Sequence, residues 1–326
     1  MQAFDYANPT TLQEALGLLA ARWGEVDILA GGTDQISLMK DYIHTPRRVV
    51  NIKGIKELGG ITKTAAGLRI GATVTVDELA RNAAVRAEYP CLTAAAQGIT
   101  SPQIRNMGTV AGDLCQRPRC WYFRNGFGLL AMKDGKSLVL DGENRYHAIF
   151  GDGPAYFVSA SSFAPALAAL GARVKLVSAS GPREVAVDKF FIAPKDGASR
   201  ETALRPDEIL TEIIVPAART TRNATYEVRQ KEALDWPLVA ASVVLRMKGS
   251  TVASARVVLG HVAATPWVAA GAEQLLAGKS LTEDVARDAG NAAVAGARPL
   301  SGNRYKVQLA SVAVKRALLE AVRVKA

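Results

Sequence analysis

The sequence predicts an α+β fold in three parts: two α/β lobes followed by a C-terminal unit with a three-stranded antiparallel sheet and helices. Short apolar runs alternate with helix-periodic stretches up to about residue 217. After Pro216 three strand-like runs follow one another directly, and helical patterns come after them. Two glycine-bearing segments, at 30–35 and 104–113, fall where the chain must turn sharply.

The first lobe is predicted at residues 1–60. Thr10 or Thr11 can cap a helix whose apolar stripe includes Leu12, Ala15 and Leu16. The apolar runs 26–30 and 49–52 predict two short strands.

The second lobe is predicted at residues 61–217. Thr75 or Asp77 can cap a helix that continues through Leu79, and the sequence Glu88-Tyr89-Pro90 predicts an interruption before a helix at 92–98. The stretch 116–153 has loop-like composition with Pro118, several glycines and many charges. Loops of that length are uncommon unless they are functional or disordered.

The C-terminal unit is predicted at residues 218–326. Its strands are expected at 224–229, 240–247 and 252–261, and its helices at 266–276, 282–295 and 305–322.

Composition describes an ordinary globular protein of 326 residues with 49% hydrophobic residues. No apolar run reaches the roughly eighteen residues that a membrane span needs, and the N-terminus lacks a basic signal region, so we expect a cytoplasmic protein. Three cysteines argue against a disulfide scaffold. The net charge of +10 fits a solvated basic surface, an acidic partner or nucleic acid, but no basic block interleaves with aromatic residues.

The two glycine-bearing segments predict a pair of phosphate-binding loops. Glycine lets a phosphate approach the main chain closely, and successive N–H groups can form an anion-binding nest. Gly31 and Gly32 follow a predicted strand, and Thr109 adds a hydroxyl to the second segment. The alternative is that each glycine pair merely makes a turn. Neither segment fits the G-x-G-x-x-G fingerprint or the P-loop pattern.

These residues in this order resemble the FAD-binding medium subunit of molybdenum hydroxylases, the group of xanthine dehydrogenase, aldehyde oxidoreductase and 4-hydroxybenzoyl-CoA reductase. The resemblance rests on the segments 30–34, 69–72, 104–106 and 109–112, and extends to Arg256-Val257-Val258-Leu259-Gly260 and Ala264-Thr265-Pro266. It implies a two-lobed FAD-binding domain of the vanillyl-alcohol-oxidase/PCMH type ahead of the C-terminal unit.

The resemblance also implies a set of FAD-binding residues. They are Leu29, Ala30, Gly31, Gly32, Thr33, Asp34 and Gln35 in the first segment, Gly108, Thr109, Ala111, Gly112 and Asp113 in the second, and Lys231.

Some of these positions leave alternatives open. Asp113 stands where the family usually has asparagine, and its carboxylate would be repelled by a diphosphate unless it meets a backbone donor or a sugar hydroxyl. Ser162 replaces an acidic residue of the family and equally fits a helix N-cap. Lys231 matches a basic position near the flavin, or is a surface lysine. Trp236 is interpreted as a packing anchor.

The stretch 116–153 resembles a loop that carries an extra [4Fe–4S] cluster in one branch of the family. Such a cluster normally needs four thiolates. Cys120 matches the first ligand, but the other three positions fall near Leu129, Ser137 and Ala155. We therefore expect no [4Fe–4S] cluster and no other metal in this chain. The three histidines form no recognisable catalytic motif, so we expect no catalytic residue either.

By resemblance, the chain is an electron-transfer subunit of a heterotrimeric oxidoreductase. A large molybdopterin-binding subunit would oxidise the substrate, a small subunit with two [2Fe–2S] clusters would relay electrons to the flavin, and the flavin would pass them to an external acceptor. Periplasmic location by co-export with a partner is an alternative to the cytoplasm. A flavin-poor assembly subunit of the same complex is the alternative function.

Overall fold

The N-terminal part of the chain forms a three-stranded parallel sheet. The computed structural model of the protein describes residues 1–231 and 234–323. The first sheet has the order β1-β3-β2. Its central strand buries Val49 and Val50. The elements of this part are β1 (Asp5–Ala7), α1 (Leu12–Gly17), β2 (Val26–Leu29), α2 (Gln35–Lys40) and β3 (Arg48–Asn51).

Helix α1 begins where the sequence predicts a cap. Of the two candidate threonines, Thr11 is the N-cap, because its hydroxyl accepts a hydrogen bond from the Glu14 amide while the Glu14 side chain bonds back to the cap.

The second sheet is antiparallel, with the order β4-β5-β10-β8-β9. Helices pack against it through a core that includes Leu92, Phe163 and Ile213. A 3-10 turn at Lys56–Leu58 leads into this part. Its strands are β4 (Ile61–Thr64), β5 (Gly67–Gly71), β8 (Arg173–Ser178), β9 (Gly181–Ala186) and β10 (Ile209–Pro216), and its helices are α3 (Val76–Arg81), α4 (Ala83–Glu88), α5 (Pro90–Gly98), α6 (Pro102–Met107), α7 (Val110–Cys115), α9 (Ala164–Ala169) and α10 (Val187–Phe190).

The interruption predicted at 88–90 is present, but it is shorter than expected. Helix α5 begins at Pro90 rather than at Leu92. Proline is well suited to the first helical position, where its missing N–H costs no helical hydrogen bond.

The stretch 116–153, which we call the insert, contains little regular structure. It holds α8 (Trp121–Arg124) and a hairpin of β6 (Met132–Lys133) and β7 (Lys136–Ser137). The buried Lys306 fastens the insert to the C-terminal unit: its Nζ donates to the carbonyl oxygens of His147 (3.1 Å) and of His261 (2.6 Å).

The C-terminal unit is an antiparallel sheet covered by three helices. Its elements are β11 (Thr221–Val228), β12 (Val239–Lys248), β13 (Thr251–Gly260), β14 (Trp267–Val268), α11 (Ala270–Leu276), α12 (Glu283–Ala293) and α13 (Tyr305–Arg323). The three predicted strands are present, and β14 adds a two-residue fourth. Trp267 and Val268 pair with Leu259 and Val258, so the helix expected from Pro266 begins only at Ala270. Within the described residues no helix is long and apolar enough to cross a lipid bilayer.

Candidate functional site

A cleft of about 410 Å³ runs between the first and second sheets, and both glycine-bearing segments line it. Of the predicted site residues, those of the first segment from Ala30 to Gln35 and all those of the second line this cleft. Leu29 and Lys231 are not among the lining residues. The fold thus brings together two segments that are about seventy residues apart in the sequence.

The first segment turns between β2 and α2. Gly32 has φ of +72°, in the left-handed region where glycine is favoured. The backbone amides of Gly31, Gly32 and Thr33 donate to no other group of the described chain. These half-buried and exposed amides are therefore available as donors to an anion in the cleft.

Gly31 lets the two segments touch. A Cβ built on Gly31 would lie 2.0 Å from the Met107 carbonyl oxygen and 2.8 Å from the Gly108 Cα. No side chain fits in that space, so the backbones of the two segments meet directly only because residue 31 is glycine.

The second segment spans the end of α6 and the start of α7, where the sequence predicts a loop. Thr109 is the N-cap of α7, and its hydroxyl accepts a hydrogen bond from the Gly112 amide at 3.0 Å. The Val110 amide donates to Val74. In this structure the Gly112 amide is therefore already paired within the protein, and a role for Gly112 in binding a phosphate stays a prediction.

The carboxylate of Asp113 is paired with donors of the protein itself. It accepts hydrogen bonds from the Phe163 amide (3.1 Å), the Ser162 amide (3.3 Å) and the Ser161 hydroxyl, and from the Gln116 side chain (2.9 Å). Burial raises the pKa of Asp113 to about 6, and these hydrogen bonds oppose that rise. Asp113 thus joins the second segment to the start of α9.

Ser162 is not the N-cap of α9, since the N-cap position is Phe163 and the serine hydroxyl that bonds to the start of the helix belongs to Ser161. Helix α9 begins at Ala164, and the Ala164 amide donates to the Ser161 hydroxyl at 3.0 Å. Ser162 instead lines the cleft and uses its backbone amide on Asp113.

A network of polar side chains, which the sequence analysis did not predict, lines the cleft beside the first segment. Gln35 Nε2 donates to Asp27 Oδ2 at 2.5 Å, and His44 Nδ1 lies 3.2 Å from the same oxygen. His44 Nε2 lies 3.0 Å from Arg117, which forms an ion pair with Glu201. Arg117 has no acceptor role, so His44 Nε2 accepts and Nδ1 carries the proton. Of the residues in this network, Gln35 was a predicted site residue, and no motif in the sequence marks the others.

Trp236 is not the buried packing anchor that the sequence suggested. It is 41% exposed and lines the cleft, and the Arg119 guanidinium lies 4.6 Å from its ring centroid. This cation–π contact joins the insert to the β11–β12 connection.

Lys231 lies on that same connection and is exposed, and its backbone amide donates to Asp235 at 3.1 Å. Asp235 lines the cleft although Lys231 does not. A role for Lys231 beside the flavin therefore stays a prediction.

The insert keeps Cys120 in a buried polar setting. Cys120 Sγ lies 3.2 Å from His147 Nε2. Burial raises the pKa of the Cys120 thiol, and burial together with Lys306 lowers the pKa of His147 to about 4. Both groups are neutral at pH 7, and the contact is a hydrogen bond between a thiol and an imidazole. Leu129 and Ala155, which align with other cluster ligands, belong to the apolar packing around Phe123.

The cleft combines donors for an anion with apolar surface for a ring system. The unused amides of 31–33 can bind phosphate oxygens, and apolar residues on either side can hold flat rings. The apolar lining includes Val26, Ile28, Ile52, Ile99, Ile104, Leu204 and Leu210.

Comparisons with known proteins cover the whole chain. Residues 2–218 match the family model of the FAD binding domain in molybdopterin dehydrogenase, and residues 224–321 match that of the CO dehydrogenase flavoprotein C-terminal domain. The chain is 33% identical to the aldehyde oxidoreductase FAD-binding subunit of Escherichia coli K12, over 98% of this chain and 99% of that protein. It is 30% identical to the carbon monoxide dehydrogenase medium chain of Hydrogenophaga pseudoflava, over 97% and 96%.

Solved structures agree with these sequence matches. Quinoline 2-oxidoreductase from Pseudomonas putida 86 aligns with a TM-score of 0.77 at 25% identity, covering 99% of this chain and 98% of that one. Carbon monoxide dehydrogenase from Hydrogenophaga pseudoflava aligns with a TM-score of 0.77 at 29% identity, covering 100% and 99%. The predicted family and α+β fold class are confirmed. The chain belongs to the family of FAD-binding subunits of molybdenum hydroxylases, and it is the flavoprotein component of such an oxidoreductase.

Proposed function

We propose that the cleft between the first and second sheets holds FAD, with the diphosphate against the amides of Gly31, Gly32 and Thr33. The observation that carries this proposal is the direct contact of the two glycine-bearing segments at Gly31 and Met107, beside amide donors that the protein does not use. Backbone N–H groups that are unpaired and held close together can bind an anion without help from a charged side chain.

The chain's own residues bind and orient the cofactor. The amides fix the diphosphate, and the capped start of α7 keeps the second segment rigid because Thr109 holds the Gly112 amide. Apolar side chains of the cleft exclude water from the rings. FAD supplies the electron-carrying chemistry when bound, and the protein supplies placement and electrostatics.

We propose further that the chain works between two partner subunits. A molybdopterin-binding large subunit would deliver electrons through a [2Fe–2S] small subunit, and an external acceptor would receive them from FAD. Support comes from relatives that are named medium chains of carbon monoxide dehydrogenase. The proposed division of the chain is 1–60 and 61–217 for the FAD-binding lobes and 218–326 for the C-terminal domain, and the proposed location is the cytoplasm.

The test is the flavin content of the purified full-length chain. We expect about one FAD per chain, measured by absorbance and by chromatography of the released cofactor. Gly32→Val should lose the flavin while the C-terminal unit stays folded, because valine is strained at a φ of +72° and a Cβ there would lie 3.1 Å from Ile36 and Leu29 side-chain atoms.

Gly54→Ala is the matched control, since a Cβ at Gly54 meets nothing within 4 Å. A yellow Gly32→Val protein would contradict the placement of FAD. A colourless wild-type chain that still joins its complex would favour the assembly-subunit alternative.

A further inference from the structure

The side chain of Asp34, two residues after Gly32, is held by the first part of the insert. Asp34 Oδ2 accepts a hydrogen bond from the Arg117 amide at 2.9 Å. Asp34 Oδ1 accepts one from Arg124 Nη2 at 2.8 Å and lies 3.2 Å from Arg119 Nη2. Both the Asp34 and the Arg124 side chains are mostly buried, at 14% and 13% exposed. Solvent therefore screens this ion pair weakly.

Arg124 organises the segment that holds Asp34. Besides Asp34, its guanidinium donates to the carbonyl oxygens of Pro118 (2.9 Å) and Arg117 (3.1 Å). One planar fork thus ties the first glycine-bearing segment to the turn at 117–118. Arg124 does not line the cleft, whereas Asp34, Arg117 and Arg119 do.

The segment is itself anchored on its far side. Cys120 contacts His147, and the His147 carbonyl accepts hydrogen bonds from Lys306 Nζ (3.1 Å) and Asn303 Nδ2 (3.1 Å). Lys306 belongs to α13 and Asn303 precedes it. The contacts that hold Asp34 in place therefore continue from the insert to the C-terminal unit.

The ion pair between Arg124 and Asp34 also affects the charge beside the proposed diphosphate site. A carboxylate at residue 34 lies in the segment whose amides are proposed to bind a diphosphate, and like charges at close range repel. The guanidinium of Arg124 offsets the Asp34 charge. Without it, the carboxylate keeps only the Arg119 guanidinium at 3.2 Å and the Arg117 amide, and the backbone of 32–34 loses a fixed point.

We infer that Arg124 is a positioning residue for FAD: it acts through Asp34 on the first glycine-bearing segment and makes no contact with the ligand itself. This inference rests on the proposed function. It assigns to the insert a task that needs no metal, namely holding one half of the FAD cradle in place.

The test compares FAD dissociation constants of the full-length apoprotein, measured by quenching of flavin fluorescence, in a double-mutant cycle of Arg124→Met and Asp34→Asn. Arg124→Met should weaken FAD binding about tenfold or more in the wild-type background, and less than about threefold in the Asp34→Asn background, because the partner it serves is gone. The control Arg145→Met removes an exposed ion pair with Glu143 in the same insert and should leave the constant within about twofold.

The outcomes separate the inference from the proposed function. A wild-type chain that binds no FAD overturns both. A wild-type chain that binds FAD, with an Arg124→Met penalty that is absent or equal in the two backgrounds, overturns the inference alone. A merely structural role gives that equal penalty together with a lower apoprotein Tm. If Arg124→Met does not fold, the same cycle with Arg124→Lys decides, since lysine keeps the charge but lacks the fork.

Discussion

Replacing Gly31 by alanine tests whether the two halves of the cradle must touch. The added Cβ would lie 2.0 Å from the Met107 carbonyl oxygen, 2.7 Å from the Met107 carbonyl carbon and 2.8 Å from the Gly108 Cα. All three are backbone atoms, so no side chain can rotate away. Cβ atoms in proteins stay at least about 3 Å from non-bonded heavy atoms, so the two segments must separate by about 1 Å.

The size of the effect follows from that separation. Forcing an extra methyl group into a close-packed contact costs about 1–3 kcal/mol of unfolding free energy. If the displaced amides lose one charge-assisted hydrogen bond to the diphosphate, the loss of about 1.5–3 kcal/mol corresponds to about 10- to 100-fold weaker FAD binding. Urea denaturation of the apoprotein measures the first quantity, and flavin titration measures the second.

Gly54→Ala serves as the comparison, because the same methyl group there meets nothing within 4 Å. Gly31→Ala with wild-type stability and wild-type FAD affinity would refute the conclusion that the segments are in direct backbone contact.

Three further predictions concern single side chains. Thr109→Ala should lower the unfolding free energy by about 1 kcal/mol in urea denaturation, because the Gly112 amide loses its capping acceptor; an unchanged midpoint would contradict the cap. Burial raises the pKa of Asp113 from 3.8 to about 6, so its contribution to stability is present below about pH 4 and is lost as the pH rises through 6. Relative to Asp113→Asn, the wild type should lose up to about 3 kcal/mol of unfolding free energy between pH 4 and pH 7, and a constant difference would show that Asp113 does not titrate this way. Cys91, whose side chain is fully buried and whose thiol pKa burial raises to about 12, should resist a thiol reagent at pH 8 until denaturant is added, and rapid native labelling of Cys91 would exclude that burial.

The elements that the sequence predicted well are those with long, regular apolar patterns. The strands β12 and β13 each contain a run of apolar residues within ten residues, and α13 repeats the helical period over 19 residues, so these patterns outweigh local variation. The elements that differed depend on one or two residues. Strand β14 is two residues long and pairs with the edge of β13. Helix α7 begins at Val110 because the hydroxyl of Thr109 caps it.

The site divides in the same way. Gly31 and Gly32 could be found because backbone requirements restrict the residue locally. Arg117, Glu201 and Trp236 could not be found in this way, because each is held in the cleft by a partner far away in the sequence. Arg117 contacts Asp34 and His44, Glu201 pairs with Arg117, and Trp236 contacts Arg119. Pairings over such separations leave no period or spacing in the sequence.

The strand order of the second sheet has a consequence for how the protein is made. Strand β10 is the last strand of that sheet to be synthesised, yet it lies between β5 and β8. Until Pro216 has left the ribosome, β5 and β8 have no common neighbour, and the cleft lacks Ile209 and Leu210. The first glycine-bearing segment therefore emerges about 180 residues, and the second about 100 residues, before the second sheet can close. The cleft in which we place FAD is therefore complete only once the second sheet has closed, so we expect stable FAD binding only after residue 216 has been synthesised.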